Sequence, residues 1–488
     1  MTLDELFRGA PVLALAGDGG TEIGSIAYSS ADIVPGSLFA ALRGEKKDGF
    51  DFVPDALARG AAAVLSDRPR PAGVTAAWVQ VFDPREALAL AAANFYGHPS
   101  RRLTLIGITG TKGKTTMTYL LEAILKKAGF TVGVIGTINY RGPGFVRDAP
   151  RTTPEAPDLQ RLLAEMLNKG VSHGVLEVSS HALDRKRVTG IAFDVAVFTN
   201  LAPEHLDYHQ TMEEYFRAKK KLFFLNSKKR TAVVNADDAW GQQLLLELPM
   251  TTITFGLSPA ALVRAERYKL NGIGIEALIK HPAGQIGITS PLAGKHNLSN
   301  ILGAFAVGLA LSIPPTTIRD GLASAPQVPG RFEKIPNALG VQIVIDYAHT
   351  ESSLRSVLET AREIKSGRLI VVFGAGGDRD KAKRAPMGSA AGELADMIIL
   401  TSDNPRSENP LAILRDIEQG VRKGGAKDCV LIPDRREAIA KALAAARKGD
   451  FVVIAGKGHE TYQEIQGQRL PFSDEGAVRE ILNGAGGR

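Results

Sequence analysis

Apolar residues in this chain fall into short runs separated by amphipathic stretches, and the alternation is sharpest near residue 110. Leu103-Thr104-Leu105-Ile106-Gly107-Ile108 has the pattern of a short buried strand, and Met117, Leu120, Leu121, Ile124 and Leu125 recur behind it at helical spacing. Strand-like runs follow at 132–135, 174–178 and 195–199, with a helical pattern over 154–169 among them. Ahead of this region, 61–65 and 77–82 are strand-like and 84–96 is helical. Strands alternating with helices predict an α/β fold with a mostly parallel sheet.

The last third carries the same signal with an addition. Four apolar runs, 341–345, 369–373, 397–400 and 451–455, each end in a polar cluster. The clusters are Asp346-Tyr347-Ala348-His349, residues 374–379 ending in Arg379, Asp403-Asn404-Pro405-Arg406, and Gly456-Lys457-Gly458-His459-Glu460. Open parallel sheets bind ligands beyond the carboxyl ends of their strands, so four such ends predict one shared crevice. Gly374-Ala375-Gly376-Gly377 lacks the G-x-G-x-x-G spacing of a dinucleotide loop. Pro and Gly punctuation at 96–100 and 326–330 divides the chain into 1–98, 99–329 and 330–488. Three domains also suit 488 residues at roughly 150 per domain.

Between the first strand and its helix lies Gly110-Thr111-Lys112-Gly113-Lys114-Thr115-Thr116. A glycine-rich turn opening a helix offers free backbone N–H groups and a positive helix end to an anion. In a phosphate loop Lys114 serves the β/γ-phosphates and the Thr115 hydroxyl serves Mg²⁺. The usual pattern has glycine five residues before Gly113, where this chain has Ile108. The loop therefore predicts ATP-type chemistry outside the commonest NTPases.

Composition narrows the class. With 44% hydrophobic and 23% charged residues the chain is an ordinary globular protein, and no apolar run approaches the roughly 18 residues of a membrane span. The acidic start, Met1-Thr2-Leu3-Asp4-Glu5-Leu6, is unlike a signal peptide, and a single cysteine, Cys429, fits a reducing compartment. A cytoplasmic protein and a monomer are expected. The net charge of +7 favours anionic ligands. Its basic runs, Lys219–Lys221 and Lys228–Arg230, are short, and aromatics are only 6%. Small polyphosphates explain that charge without nucleic acid.

Other candidates each have a plainer alternative. Glu177, near a strand end, suits a second Mg²⁺ anchor but could be a solvated carboxylate. His205, in the run 199–209, could ligate a metal or sit at the surface. Thr152-Thr153-Pro154-Glu155 has the form of a helix cap with Pro in the first turn, and His296-Asn297-Leu298-Ser299-Asn300 precedes a helix expected over 301–311. Residues 215–223 have the pattern of a basic helix face, where neighbouring cations would lower the pKa of any one lysine.

Taken in order, these motifs resemble the Mur ligases of peptidoglycan synthesis over essentially the whole chain, and among them the UDP-N-acetylmuramoyl-tripeptide synthetases. The motifs are 110–116, 177–181, 200–207, 215–223, 296–297, 330–333, 346–349, 403–406 and 456–460. The resemblance implies an N-terminal domain for the uridine nucleotide, a central ATPase, and a C-terminal Rossmann-like domain for the amino acid. It implies ATP-driven amide formation through an acyl phosphate, with Mg²⁺. By the same resemblance, Lys114 and Thr115 serve phosphates and metal, Glu177 and His205 bind magnesium, and Lys219 is carried as a carbamate. Asn297, Arg331 and Asp346 match nucleotide contacts; Ser30, Thr152, Thr153, Ser179, Arg185 and Arg187 match positions for the UDP-muramoyl dipeptide.

Arg379, Asp403, Asn404, Pro405, Arg406, Gly456 and Glu460 match the amino-acid site. In this family arginine at the position of Arg406 goes with meso-diaminopimelate, and its replacement goes with L-lysine. A guanidinium can clamp the second carboxylate that lysine lacks, and the expectation is that lysine would leave Arg406 unpaired. Ser29-Ser30-Ala31, Arg185 and His349-Thr350-Glu351-Ser352 depart from the family's common residues. Competing readings are the lysine-adding ligase, a related ligase adding D-glutamate, D-Ala-D-Ala or folate-linked glutamate, and a P-loop ATPase acting as a regulator.

Overall fold

The computed structural model describes residues 1–488 apart from 45–46, 226–229, 272–273, 427 and 486–488. Lys228 and Lys229 of the second basic run therefore lie outside the described residues. The chain divides into two compact units. One comprises Met1–Arg264, Lys280–Gly284 and Leu302–Gly321; the other comprises Ala265–Ile279, Gln285–Ile301 and Leu322–Arg488.

In the first unit, the N-terminal sheet runs Val12–Ala16, Ala77–Val81, Ala61–Ser66, Ser37–Ala40, Ser25–Ala27, parallel except for the first pair. The second sheet of this unit has six adjacent parallel strands in the order Thr251–Gly256, Thr231–Asn235, Val195–Phe198, Thr104–Thr109, His173–Glu177, Val132–Ile135. An antiparallel hairpin, Asn139–Gly142 with Phe145–Asp148, closes that edge. Thr104–Thr109 lies at its middle, with Leu105, Ile106 and Ile108 fully buried. A strand covered on both faces must be continuously apolar, which is why 103–108 lacks alternation.

Helix Pro84–Phe95 starts on an Asp83 cap, whose Oδ1 accepts from the Arg85 and Glu86 amides, and it packs against Ala156–Asn168. Tyr28 donates to Asp158 at 2.6 Å, and Lys186 pairs with Asp83 at 2.8 Å and with Glu86. These bonds join Tyr28 to helix Ala156–Asn168 and the start of helix Pro84–Phe95 to Lys186.

The second unit carries a sheet in the order Glu333–Lys334, Gln342–Asp346, Phe451–Ala455, Leu369–Phe373, Met397–Leu400, Cys429–Leu431. All pairs are parallel except the first. The four apolar runs that end in polar clusters are therefore adjacent strands pointing the same way. Amphipathic helices Glu351–Ile364 and Pro410–Lys423 bury Leu354, Val357, Leu358, Ile413, Leu414 and Ile417 over it. Overall the molecule is α/β with mostly parallel sheets.

Two local expectations are corrected. Thr152-Thr153-Pro154-Glu155 is not a cap: the helix starts at Ala156 with Pro157 in its first turn, and Glu155, at the cap position, makes no capping side-chain bond. The threonine hydroxyls are spent elsewhere, as described below. The second helix begins at Lys295 rather than 301, so His296 and Asn297 lie in its first turn.

Candidate active site

The phosphate loop is built by close approach. Gly110 has φ +143° and Gly113 φ +86°, and a Cβ on Gly110 would collide with Thr199 Oγ1. The loop is pinned to the next strand's end: Thr199 Oγ1 donates to the Lys112 carbonyl at 2.7 Å, and Asn200 Oδ1 accepts from the Lys112 amide at 2.9 Å. Thr111 Oγ1 accepts from the Ala202 amide at 3.0 Å. Helix Lys114–Lys127 follows, its N-terminus behind Gly113, with Thr115 and Thr116 buried in its first turn.

Lys114 Nζ folds back over the loop and donates to the carbonyls of Gly110, at 2.8 Å, and Thr111, at 3.0 Å. Thr115 Oγ1 donates to Glu177 Oε2 at 3.1 Å. Glu177, 1% exposed at the end of its strand, also accepts from the Thr137 amide and hydroxyl, both at 2.9 Å. All three donors are neutral. Among the described residues no ion pair neutralises Glu177; a buried carboxylate so placed is costly, and a divalent cation is its natural complement.

His205 stands in left-handed backbone (φ +59°) just before helix Leu206–His209. Its ring meets the His181 ring edge-on, centroids 4.9 Å apart. Burial, countered by Glu204 and reinforced by His181, lowers its pKa to about 4, so the ring is neutral and has a lone pair to offer. The basic helix face proves to have one buried member. Lys219, in helix Met212–Lys220, is 1% exposed, lies 4.5 Å from the Tyr215 ring centroid, and donates to the Gly110 carbonyl at 2.7 Å. Burial and then the Lys114 charge push its pKa far below that of an ordinary lysine. That shift favours the neutral, nucleophilic form of the amine, from which a carbamate can form. Thr115 and Glu177 are hydrogen-bonded to each other, and His205 and a carbamate on Lys219 would add donors of the kind that suits Mg²⁺, although among the described residues no three His, Cys, Asp or Glu side chains are grouped to hold a metal ion.

Beside Glu177 the threonines form a second cluster. Thr153 Oγ1 donates to the Glu177 carbonyl at 2.8 Å and accepts from the Ser179 amide at 3.1 Å, and Thr152 Oγ1 lies 3.1 Å from Thr137 Oγ1. Buried Arg187 donates to the Thr153 carbonyl at 3.1 Å and pairs with Glu155 at 2.8 Å, its Nε without an acceptor. Arg185 stacks over Tyr208, 5.4 Å from the ring centroid. Ser30 opens the turn Ser30–Asp32, where its hydroxyl serves Asp55.

In the second unit, Asp346 accepts from the Phe332 amide at 2.7 Å and the Ala348 amide at 2.8 Å, and the Arg331 guanidinium lies 4.7 Å from the Tyr347 ring centroid. Buried Asn297 donates to the Ala293 carbonyl at 2.8 Å and accepts from Asn300 at 3.1 Å.

The amino-acid cluster is tightly cross-linked. Asn404 donates to Glu460 at 2.9 Å while its Oδ1 accepts from fully buried Lys457 at 3.1 Å and from the Glu464 amide at 2.9 Å. Lys457 also donates to Glu460 at 2.8 Å. A Cβ on Gly456 would come within 2.9 Å of Asp403 Oδ2, and a Cβ on Gly377 would meet the Pro405 carbonyl. Arg406, with φ +52°, is held by its Nε on Glu464 at 3.2 Å and its Nη1 on the Gly377 carbonyl at 2.7 Å. Arg379 is exposed on the loop after Leu369–Phe373. Beneath the cluster lies Arg435, which pairs bidentately with Asp474 at 2.7 and 2.8 Å and donates to the Ala455 carbonyl at 2.9 Å; neither side chain of the pair is exposed.

Sequence reasoning missed Thr137, Lys457, Glu464 and the Arg435–Asp474 pair. Lys457 and Glu464 stand within or just beyond the quoted motif at 456–460. Nothing in spacing marks Arg435 or Asp474 as partners.

Comparison with known proteins identifies the family. Residues 22–96 match the Mur ligase family catalytic domain, 108–308 the Mur ligase middle domain, and 330–458 the Mur ligase glutamate ligase domain. A UDP-N-acetylmuramoyl-L-alanyl-D-glutamate–2,6-diaminopimelate ligase of Solibacter usitatus is 45% identical over 96% of this chain and 94% of its own length. One of the same name from Geobacter metallireducens is 43% identical over 98% of both. A solved structure of a ligase so named superimposes with TM-score 0.72 at 32% identity, covering all of both chains. The chain belongs to the Mur ligase family.

Proposed function

We infer that the chain is the ATP-dependent ligase that adds meso-diaminopimelate to UDP-N-acetylmuramoyl-L-alanyl-D-glutamate in peptidoglycan precursor synthesis. A D-glutamyl carboxylate oxygen attacks the γ-phosphorus of ATP, breaking the bond to ADP and forming an acyl phosphate. The diaminopimelate amine then attacks the acyl carbon, forms the amide, and releases phosphate and a proton. Both steps join anions, so positioning and charge neutralisation dominate.

The residue roles proposed here are those that the family resemblance implies. Lys114 turns from the loop carbonyls to the phosphates, and the helix N-terminus behind Gly113 complements their charge. Thr115, Glu177, His205 and carbamylated Lys219 hold Mg²⁺, which when bound neutralises phosphate charge. Gly110, Thr111, Lys112, Gly113 and Thr116 shape the loop, and Asn297, Arg331 and Asp346 serve the nucleotide. Ser30, Thr152, Thr153, Ser179, Arg185 and Arg187 serve the UDP-muramoyl dipeptide. Arg379, Asp403, Asn404, Pro405, Arg406, Gly456 and Glu460 serve the amino acid. The three family matches support domains at 1–98, 99–329 and 330–488. No described helix is long and apolar enough to cross a membrane, and a cytoplasmic monomer fits a ligase of small soluble substrates.

The observation that carries the choice of amino acid is Arg406, fixed beyond the strand Met397–Leu400 with N–H donors uncommitted among the described residues, in a chain 45% identical to a ligase named for diaminopimelate. The test is phosphate release from Mg-ATP and the UDP-muramoyl dipeptide. Release should require diaminopimelate; release with no amino acid, or with lysine alone, would overturn the reading.

A further inference from the structure

A guanidinium has five N–H donors. In Arg406 two are engaged, Nε on Glu464 Oε2 and one hydrogen of Nη1 on the Gly377 carbonyl. Among the described residues both hydrogens of Nη2 and one of Nη1 have no acceptor, enough for a bidentate carboxylate. The backbone is locked as tightly: the Arg406 amide donates to the Glu464 carbonyl at 3.0 Å, and the Gln466 amide donates to the Arg406 carbonyl at 2.8 Å. This ladder runs along the strand Tyr462–Ile465, so the residue that holds the guanidinium also holds the main chain beneath it.

This alters the account of selectivity. The sequence suggests that lysine would leave Arg406 unpaired, yet Arg406 has a partner within the chain itself, Glu464. Discrimination must come from where the remaining donors point. An arginine side chain has about 2 kcal/mol of rotamer freedom to lose on fixing its geometry. A carboxylate on Nε fixes the plane of the group and leaves its outer edge to the ligand. Neutralising part of the Arg406 charge also lowers the gain from any anion that lacks bidentate geometry.

We propose that Glu464 is a positioning residue for amino-acid selection: it aims the Arg406 guanidinium so that its free Nη hydrogens receive the second carboxylate of diaminopimelate. The proposal rests on the functional reading above. Glu464 and Arg406 are 25% and 22% exposed in their side chains, so replacing Glu464 leaves no buried charge behind.

The test compares wild type, Glu464→Gln and Glu464→Ala. In Glu464→Ala the KM for diaminopimelate should rise about tenfold or more, with kcat and the KM for ATP changed less than about twofold. Glu464→Gln, which keeps an acceptor for Nε, should restore part of the loss. An unchanged diaminopimelate KM, or equal shifts for ATP and diaminopimelate, would overturn the proposal. A readout without turnover separates it from the functional reading. The Arg406 Nε–H resonance, assigned by its loss in Arg406→Lys, should exchange slowly in wild type and fast in Glu464→Ala. Fast exchange in wild type overturns the positioning role even if diaminopimelate drives turnover. Absence of diaminopimelate-driven turnover overturns the functional reading, while the resonance still decides what holds Arg406.

Discussion

Lys219 and Lys114 share one acceptor: their amines donate to the Gly110 carbonyl at 2.7 and 2.8 Å. Two ammonium groups on one oxygen repel, and burial with the neighbouring Lys114 charge lowers the pKa of Lys219 well below that of an ordinary lysine.

The family resemblance implies a carbamate on Lys219, and this proposal can be tested. Addition of carbon dioxide to the amine, with loss of a proton, turns the residue into an anion beside the phosphate loop. With ¹³C-labelled bicarbonate, wild type should show one carbamate carbon resonance that Lys219→Ala lacks. Lys219→Ala should lose about 10²–10³-fold in kcat, and Lys219→Arg should not recover it. Full activity in either variant contradicts the role.

Glu177 accepts three hydrogen bonds from neutral donors and meets no cation among the described residues. Glu177→Gln should fold and keep ATP binding but need about tenfold more Mg²⁺ for half-maximal activity. An unshifted magnesium titration would remove Glu177 from the metal site.

Arg406→Ala should raise the KM for diaminopimelate by about 10²-fold while moving the KM for ATP little, since a charged bidentate pair is worth roughly 3 kcal/mol. Equal effects on both substrates would argue that the residue is structural.

The Arg435–Asp474 pair lies wholly inside the second unit. Arg435→Ala leaves a buried carboxylate alone and should cost about 3–5 kcal/mol of stability by denaturant unfolding. The double variant Arg435→Met, Asp474→Leu should recover most of it; a double variant as unstable as the single contradicts this view of the pair.

How far the sequence reaches can be judged from these residues. Strands such as Leu369–Phe373 and Phe451–Ala455 are legible because full burial demands unbroken apolar runs. The phosphate loop is legible because glycine positions and helix start are local. Lys219 was singled out by resemblance, while its burial is tertiary: nothing in Ala218-Lys219-Lys220-Lys221 tells which lysine turns inward. Thr152 and Thr153 misled because a cap and a hydroxyl cluster use the same residues. Glu464 and Asp474 find their arginines only through tertiary contacts, Arg406 by its bridge to Ile465 and Arg435 and Asp474 as the first residues of two packed helices.

Acid should weaken the fold. Burial lowers the pKa of His296 and of His459 to about 4 each, with Arg331 and Lys457 adding to the effect on His459. In the unfolded chain both titrate near 6.5, so between about pH 6.5 and 4 the unfolded state binds more protons. The stability these neutral rings contribute is present above that window and lost as pH falls through it. The urea midpoint should drop from pH 7.5 to pH 5, and by less in His459→Gln. A midpoint that does not move contradicts the assignment.

The central claim is tested most directly by competition. The protein, Mg-ATP and UDP-N-acetylmuramoyl-L-alanyl-D-glutamate are incubated with equal meso-diaminopimelate and L-lysine, and the uridine-containing product is weighed by mass spectrometry. One product bearing diaminopimelate is expected, formed in step with ADP. A lysine-bearing product, or ADP formed with no new amide, would contradict the account.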